Sequence, residues 1–114
     1  MAGTPLKTPW FYILVSLAAA DRHGLAIARE VRALSDGRVR LWPATLYGAL
    51  SELVAKGLLA EVASEAVAAT DDDPRRRYYG LTTLGRHVLE AEQRRLEELA
   101  QAVRIGLGQP RTAG

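Results

Sequence analysis

Leu41-Trp42-Pro43-Ala44-Thr45-Leu46-Tyr47-Gly48-Ala49-Leu50 is the stretch whose reading decides the fold. Pro43 suits the first position of a helix, where its missing N–H costs nothing and its fixed φ is already helical. Leu46, Leu50, Leu53 and Val54 follow at helical spacing as one apolar stripe, which Gly57 stops. The opposite face carries Ala44, Thr45, Gly48 and Ser51, small or hydroxyl residues over which another molecule can approach the backbone closely. This is the pattern of a helix that buries one side and offers the other to a groove.

Upstream, Thr8-Pro9 reads as the start of a first helix, with Trp10, Ile13, Leu14, Leu17 and Ala18 at helical spacing and an expected end near His23-Gly24. Residues 26–34 give a second helix, with Ile27, Val31 and Leu34 facing inward and Arg29, Glu30 and Arg32 facing water, closed by Ser35-Asp36-Gly37. Val39, Leu41 and Trp42 then form a very short strand or an extended link. Downstream, residues 58–64 and 76–81 read as two strands of a hairpin around the turn signal Asp71-Asp72-Asp73-Pro74. Tyr78 and Tyr79 occupy successive strand positions, so one belongs to the core and the other to the surface. Thr82 or Thr83 caps a last helix to about residue 104, which Gly106 and Gly108 end.

The expected fold class is therefore mainly α with a small β-hairpin: a winged helix-turn-helix plus a long C-terminal dimerisation helix. Residues 1–82 form the DNA-binding domain, with the recognition helix at about 43–56 and the wing at about 58–82. Residues 83–104 form the dimerisation helix and 105–114 a flexible tail. Helices two and three, joined by a short connection, have the order in which the second helix presents its first residues to a DNA major groove.

Composition sets the bounds around this reading. At 114 residues and 12.4 kDa, with 48% hydrophobic and 25% charged residues, the chain suits one globular domain with a modest core. The absence of cysteine excludes a disulfide framework, a thiolate zinc site and a cysteine nucleophile. The longest apolar run, from Trp10 to Ala20 broken by Ser16, is short of the roughly 20 residues that span a bilayer, so a cytoplasmic protein without membrane contact is expected.

The net charge of +2 conceals a pattern. Arg22, Arg29, Arg32, Arg38, Arg40 and Lys56 outnumber Glu30, Asp36 and Glu52 in the middle of the chain, and Arg75, Arg76 and Arg77 are masked in the sum by Asp71, Asp72 and Asp73. The basic residues are overwhelmingly Arg, whose planar fork of donors matches phosphate and base edges. Double-stranded DNA is the partner this favours. The candidate DNA contacts are Pro43, Ala44, Thr45, Tyr47, Ser51 and Lys56 on helix three and Arg75, Arg76 and Arg77 on the wing. Arg75 and Arg76 would meet the backbone or minor groove, while Arg77 can pair with Asp72 or Asp73. Arg38 and Arg40 read equally as phosphate contacts and as solvated charges.

In the last helix, Leu84 and Val88 are expected to cover the winged core. Leu89, Leu96, Leu99 and Val103 form a second stripe for which so short a chain has few partners, which points to a subunit contact shared with Trp10 and Phe11. Chemistry-bearing patterns are missing. His23 and His87 lie far apart, and the aspartate run lacks the alternating ligands of a calcium loop. There is no nucleophile elbow and no phosphate-binding glycine loop, so no enzyme, metal or cofactor is expected.

Helix three and its continuation through Leu53 and Gly57-Leu58-Leu59, together with Asp73-Pro74-Arg75-Arg76-Arg77-Tyr78-Tyr79-Gly80-Leu81-Thr82 and Gly85-Arg86, resemble the PadR family of winged helix-turn-helix transcriptional regulators. His23-Gly24 followed by Ile27 matches the family's opening of helix two, although Leu25 stands where many members carry Tyr. The short C-terminal part resembles the smaller subfamily with a single terminal helix. The resemblance implies a homodimeric repressor on a pseudo-palindromic operator, often beside its own gene. It also implies a small aromatic or apolar effector at or near the dimer interface, with Trp10 or Tyr12 as candidate lining. The alternative is a winged-helix protein-interaction module without an operator of its own.

Overall fold

The computed structural model describes residues 6–63 and 76–110. Along the chain run α1 (Thr8–Ser16), β1 (Arg22–His23), α2 (Gly24–Leu34), α3 (Pro43–Ala55), β2 (Leu59–Val62), β3 (Tyr78–Leu81) and α4 (Thr83–Gly108). The strands form one antiparallel sheet in the order β1-β3-β2, with Leu59 opposite Leu81 and Val62 opposite Tyr78 on one side of β3, and His23 opposite Tyr78 on the other. This is the mainly α, winged-helix architecture expected from the sequence.

Three local readings are corrected. The first helix stops at Ser16 rather than near His23-Gly24. Ser16 Oγ turns back to donate to the Ile13 carbonyl at 2.6 Å, and Arg22 Nε donates to the Ser16 carbonyl at 2.7 Å. Side chains thus satisfy groups that a further turn would have used. His23 instead ends β1 and caps α2, its Nδ1 accepting from the Ala26 N–H, so that α2 opens at Gly24. Val39, Leu41 and Trp42 form the extended link, the second of the two expected alternatives; the unforeseen third strand is β1, whose two residues are too few to show an alternation. Finally, α4 continues through Gly106 to Gly108, so the first part of the expected tail is helical.

The turn between α2 and α3 closes by hydrogen bonds that the sequence makes available. Asp36 and Gly37 both have positive φ (55° and 77°), the Asp36 N–H donates to the Ala33 carbonyl and the Gly37 N–H to the Arg32 carbonyl. This is the Schellman arrangement, with Asp36 in the left-handed position that glycine most often takes. Buried Ser35 locks it, accepting from the Val39 N–H at 2.9 Å.

Ile13, Leu14 and Leu17 of α1 meet Ile27 and Val31 of α2, Leu46, Leu50 and Leu53 of α3, and Leu59 and Tyr79 of the sheet in one core. Burial of each large aliphatic side chain contributes about 1.5–3 kcal/mol. The base of α4 is clamped onto this core. Thr82 Oγ1 accepts from the Gly85 N–H and donates to the Gly57 carbonyl at 2.6 Å, and a Cβ at Gly85 would collide with the Leu58 carbonyl oxygen. Val88 and Leu89 pack against the core, but Leu84 does not cover it: it stays about half exposed, at 51%. A helix of 26 residues is about 39 Å long, and beyond Gln93 every described residue is exposed. The radius of gyration of 17.3 Å exceeds the roughly 13 Å of a compact chain of this length because this helix projects.

Candidate nucleic-acid interface

Helix α3 divides its faces as its sequence dictates. Leu46, Ala49, Leu50 and Leu53 are buried, while Pro43, Ala44, Thr45, Tyr47, Gly48 and Ser51 are exposed on the outer side. Trp42 stands at its N-cap with no side-chain hydrogen bond to the first turn, so the first amide groups of α3 are left for another acceptor. With Thr45 and Gly48 one turn apart, a narrow polar strip runs down the exposed side.

Two grooves lie near this strip. The larger, of 530 Å³, lies toward the wing and is lined by His23, Tyr47, Ser51, Arg76 and Arg77 among others. No carboxylate is among its described lining residues. Tyr47 reaches it by crossing the start of α2, which requires glycine there: a Cβ at Gly24 would stand 2.8 Å from the Tyr47 hydroxyl. Arg77 pairs with Glu61 at 3.4 Å; Asp72 and Asp73, named as its candidate partners, lie outside the described residues. Both partners of that pair are mostly solvent-exposed, so it is worth little and a stronger anion can displace it.

The smaller groove, of 170 Å³, lies between α2 and the link to α3. Arg29, Arg32 and Arg40 line it beside Trp42, whose ring is 66% exposed. Sequence reasoning placed Arg29 and Arg32 on a solvated face and Trp42 in a structural link; it missed the cluster. The available signal was the run Arg38-Val39-Arg40-Leu41-Trp42, a large apolar ring among bases just before a helix.

The candidate wing residues divide. Tyr79 is the core residue of the tyrosine pair, 5% exposed, with its hydroxyl pKa raised chiefly by burial. Tyr78 packs edge-on against the His23 ring, with centroids 5.4 Å apart. Arg76 approaches the same imidazole, Nη1 to Nε2 at 3.2 Å. Arg75 lies outside the described residues. Lys56 is set apart from both grooves, at the far end of α3, where its ammonium stands 5.7 Å from the centre of the Trp10 ring and Lys7 stands 4.8 Å from it.

A second, apolar feature lies on the other side of the molecule. Phe11 and Val15 of α1 and Leu89, Leu96 and Ala100 of α4 line a groove of 390 Å³. Leu99 and Val103 continue as exposed apolar residues along α4, at 55% and 52%. Trp10, placed in the same stripe by sequence reasoning, is not among the residues lining this groove; it packs against the core next to the two lysines. Tyr12 also packs on the core and meets Phe11 edge-on.

A helix-turn-helix with an exposed polar recognition strip, a three-stranded wing and guanidinium groups in two nearby grooves defines a winged-helix DNA-binding protein. Residues 13–91 match the model of the transcriptional regulator PadR-like family. The chain belongs to that family and is a DNA-binding transcriptional regulator, as the resemblance of its helix-three and wing motifs implied. It is 41% identical over 103 residues to the transcriptional regulator Rv3488 of Mycobacterium tuberculosis, covering 90% of this chain and 87% of that one. It is also 35% identical over 91 residues to an uncharacterized 37.1 kDa protein in a Streptomyces fradiae transposon, of which it spans 24%.

Among solved structures, a PadR family transcription regulator from Clostridium difficile has the same fold, with a TM-score of 0.70 and 24% identity over 90% of this chain and 100% of that one. Bordetella bronchiseptica BpsR, whose DNA binding is regulated by 6-hydroxynicotinic acid, shares the fold with a TM-score of 0.65 and 20% identity over 98% of this chain and 73% of that one.

Proposed function

We propose that the chain acts as a homodimeric repressor of a nearby operon, binding a pseudo-palindromic operator with one α3 in each of two successive major grooves. The observation that carries this is a groove lined by Arg76 and Arg77 that takes in Tyr47 and Ser51 of α3, with a second arginine-lined groove at Trp42 beside the start of the same helix. A helix seated in a major groove has a phosphate backbone on either side, and each backbone here would meet guanidinium groups. Thr45 and Ser51 read base edges, Pro43 and Ala44 allow close approach, and Tyr47, Arg75, Arg76 and Arg77 hold the backbone.

The dimer follows from the unfinished packing of α4. Its outer half has no partner in its own chain among the described residues, and it carries Leu96, Leu99 and Val103 in continuation of the groove at Phe11 and Leu89. A second copy of α4 supplies the missing apolar surface. A small aromatic or apolar effector is of the right size for the same groove, since 390 Å³ falls in the range of small-molecule sites. Occupancy there would release DNA by altering the spacing of the two recognition helices.

The test is selection of binding duplexes from a random pool by the purified protein, followed by mobility-shift titration at moderate salt. Enrichment of an inverted repeat with half-sites about one helical turn apart is expected, and Thr45→Val should change which bases are enriched. Recovery of no preferred sequence would end the operator reading. A monomer in sedimentation that captures a heterologous protein would favour the interaction module instead.

A further inference from the structure

We propose that Trp42 is a DNA-anchoring residue, its indole ring packing on one deoxyribose while Arg29, Arg32 and Arg40 hold the adjoining phosphate. The proposal rests on the DNA-binding reading and adds to it a contact outside the wing and the exposed strip of α3. Leu41 and Trp42 are neighbours in the chain but part company in space: Leu41 is 9% exposed in the core and Trp42 is 66% exposed. Leu41 pins the link, and the extended backbone at Trp42 (φ −72°, ψ 154°) turns the ring outward. Burial of an indole is among the largest apolar gains open to a side chain, and the free chain leaves this one unrealised.

The neighbours of the ring are charged. Arg29 and Arg32 stand one turn apart on α2, where like charges repel. The turn at Asp36 and Gly37 brings Arg40 to the same groove. Among the described residues no carboxylate lines this groove, and none pairs with these three guanidinium groups. An apolar ring beside three uncompensated cations selects an anion that carries an apolar face. The sugar-phosphate unit of duplex DNA is such an anion: guanidinium forks take the phosphate oxygens, and the ring covers the C–H face of the sugar. At 170 Å³ the groove is below the range of small-molecule sites, which suits one such unit rather than a free effector. Among the described residues it shares no lining side chain with the groove at Arg76 and Arg77, so it takes a separate stretch of backbone. Because Trp42 is the N-cap of α3, an anchor there fixes how closely the first turn of that helix approaches the bases.

The experiment uses the full chain and the duplex recovered from the random pool. Acrylamide quenching of tryptophan fluorescence is measured with and without duplex, and the same measurement on Trp42→Phe supplies the Trp10 contribution to be subtracted. Quenching of Trp42 should fall several-fold on binding. Trp42→Ala should bind several-fold more weakly at an unchanged salt slope, since no charge is lost, and Trp42→Phe, which keeps a ring, should recover most of that loss. Arg32→Gln should instead lower the slope of log affinity against log salt by about 1.8 for the two subunits. A Trp42 ring as open to acrylamide in the complex as in the free protein would overturn the anchor. Shielding already complete without DNA would assign the ring to a protein contact and overturn it equally. An unaltered protein that binds no duplex would instead overturn the DNA-binding reading on which the anchor depends.

Discussion

The two larger grooves described differ in chemistry. The one beside α3 is rimmed by hydrogen-bond donors, and the one between α1 and α4 by aliphatic and aromatic carbon. The first presents guanidinium, imidazole and hydroxyl groups to the solvent, and the second presents apolar side chains. The difference teaches how a chain of 114 residues divides its work. A small core suffices to hold the winged helix, and the two remaining surfaces are the ones proposed to meet DNA and a second copy.

The largest effect is expected where the apolar groove is broken. Leu96→Glu with Leu99→Glu would bury unpaired charges in the subunit contact, each costing about 3–5 kcal/mol in a closed interface. Sedimentation should detect self-association weakened by a hundredfold or more, with operator affinity falling in step while the monomer keeps its helical circular dichroism. A dimer that survives both charges would place the contact elsewhere.

Next in size is Arg76→Ala in the polar groove. Binding should weaken by about tenfold on every sequence, and the slope of log affinity against log salt should fall by about 1.8 for the two subunits. An unchanged slope would remove Arg76 from the phosphate contacts. Thr82→Ala probes the joint between the two surfaces, where one hydroxyl caps α4 and donates to the Gly57 carbonyl. A loss of about 1 kcal/mol is expected in urea unfolding, with little change in DNA preference.

The smallest effect should come from the solvated side of α4. The Arg95 guanidinium holds the Glu92 carboxyl below its ordinary pKa through a hydrogen bond of 2.9 Å. A carboxylate with a depressed folded-state pKa contributes stability above its unfolded value, which is lost as pH falls through the folded one. Because the Arg95 side chain is 55% exposed to water, Arg95→Ala should leave the unfolding midpoint nearly unchanged at neutral pH. A clear drop would mean that the second subunit buries this side of α4.

Much of this was legible in the sequence because it depends on neighbours a few residues apart. Pro43 with Leu46, Leu50 and Leu53 is sufficient to set α3 and its outward face, since helical spacing alone decides which side is apolar. The end of α1 was misread because it depends on Arg22 reaching back to the Ser16 carbonyl, a bond that no periodicity announces. β1 was missed for a similar reason: two residues become a strand only because β3, more than fifty positions later, pairs with them.

The candidate sites divide along the same line. Thr45, Tyr47 and Ser51 are exposed together because they share one helix face. Which tyrosine of the Tyr78-Tyr79 pair is buried depends on which face of β3 meets the core. Trp10 and Phe11, adjacent in sequence, serve different surfaces because successive helical residues diverge by about 100°. The cluster of Arg29, Arg32 and Arg40 around Trp42 forms only when the turn at Asp36 and Gly37 folds the link back on α2.

By itself the sequence determined a winged helix-turn-helix with a long last helix, an arginine-rich recognition region and no thiol chemistry, since these follow from residue type and local spacing. Only the tertiary structure decided that His23 meets Arg76, that Lys56 turns to Trp10 and that Leu84 remains exposed while Leu89 packs. Those contacts join residues distant along the chain, and close packing around one small core fixes them.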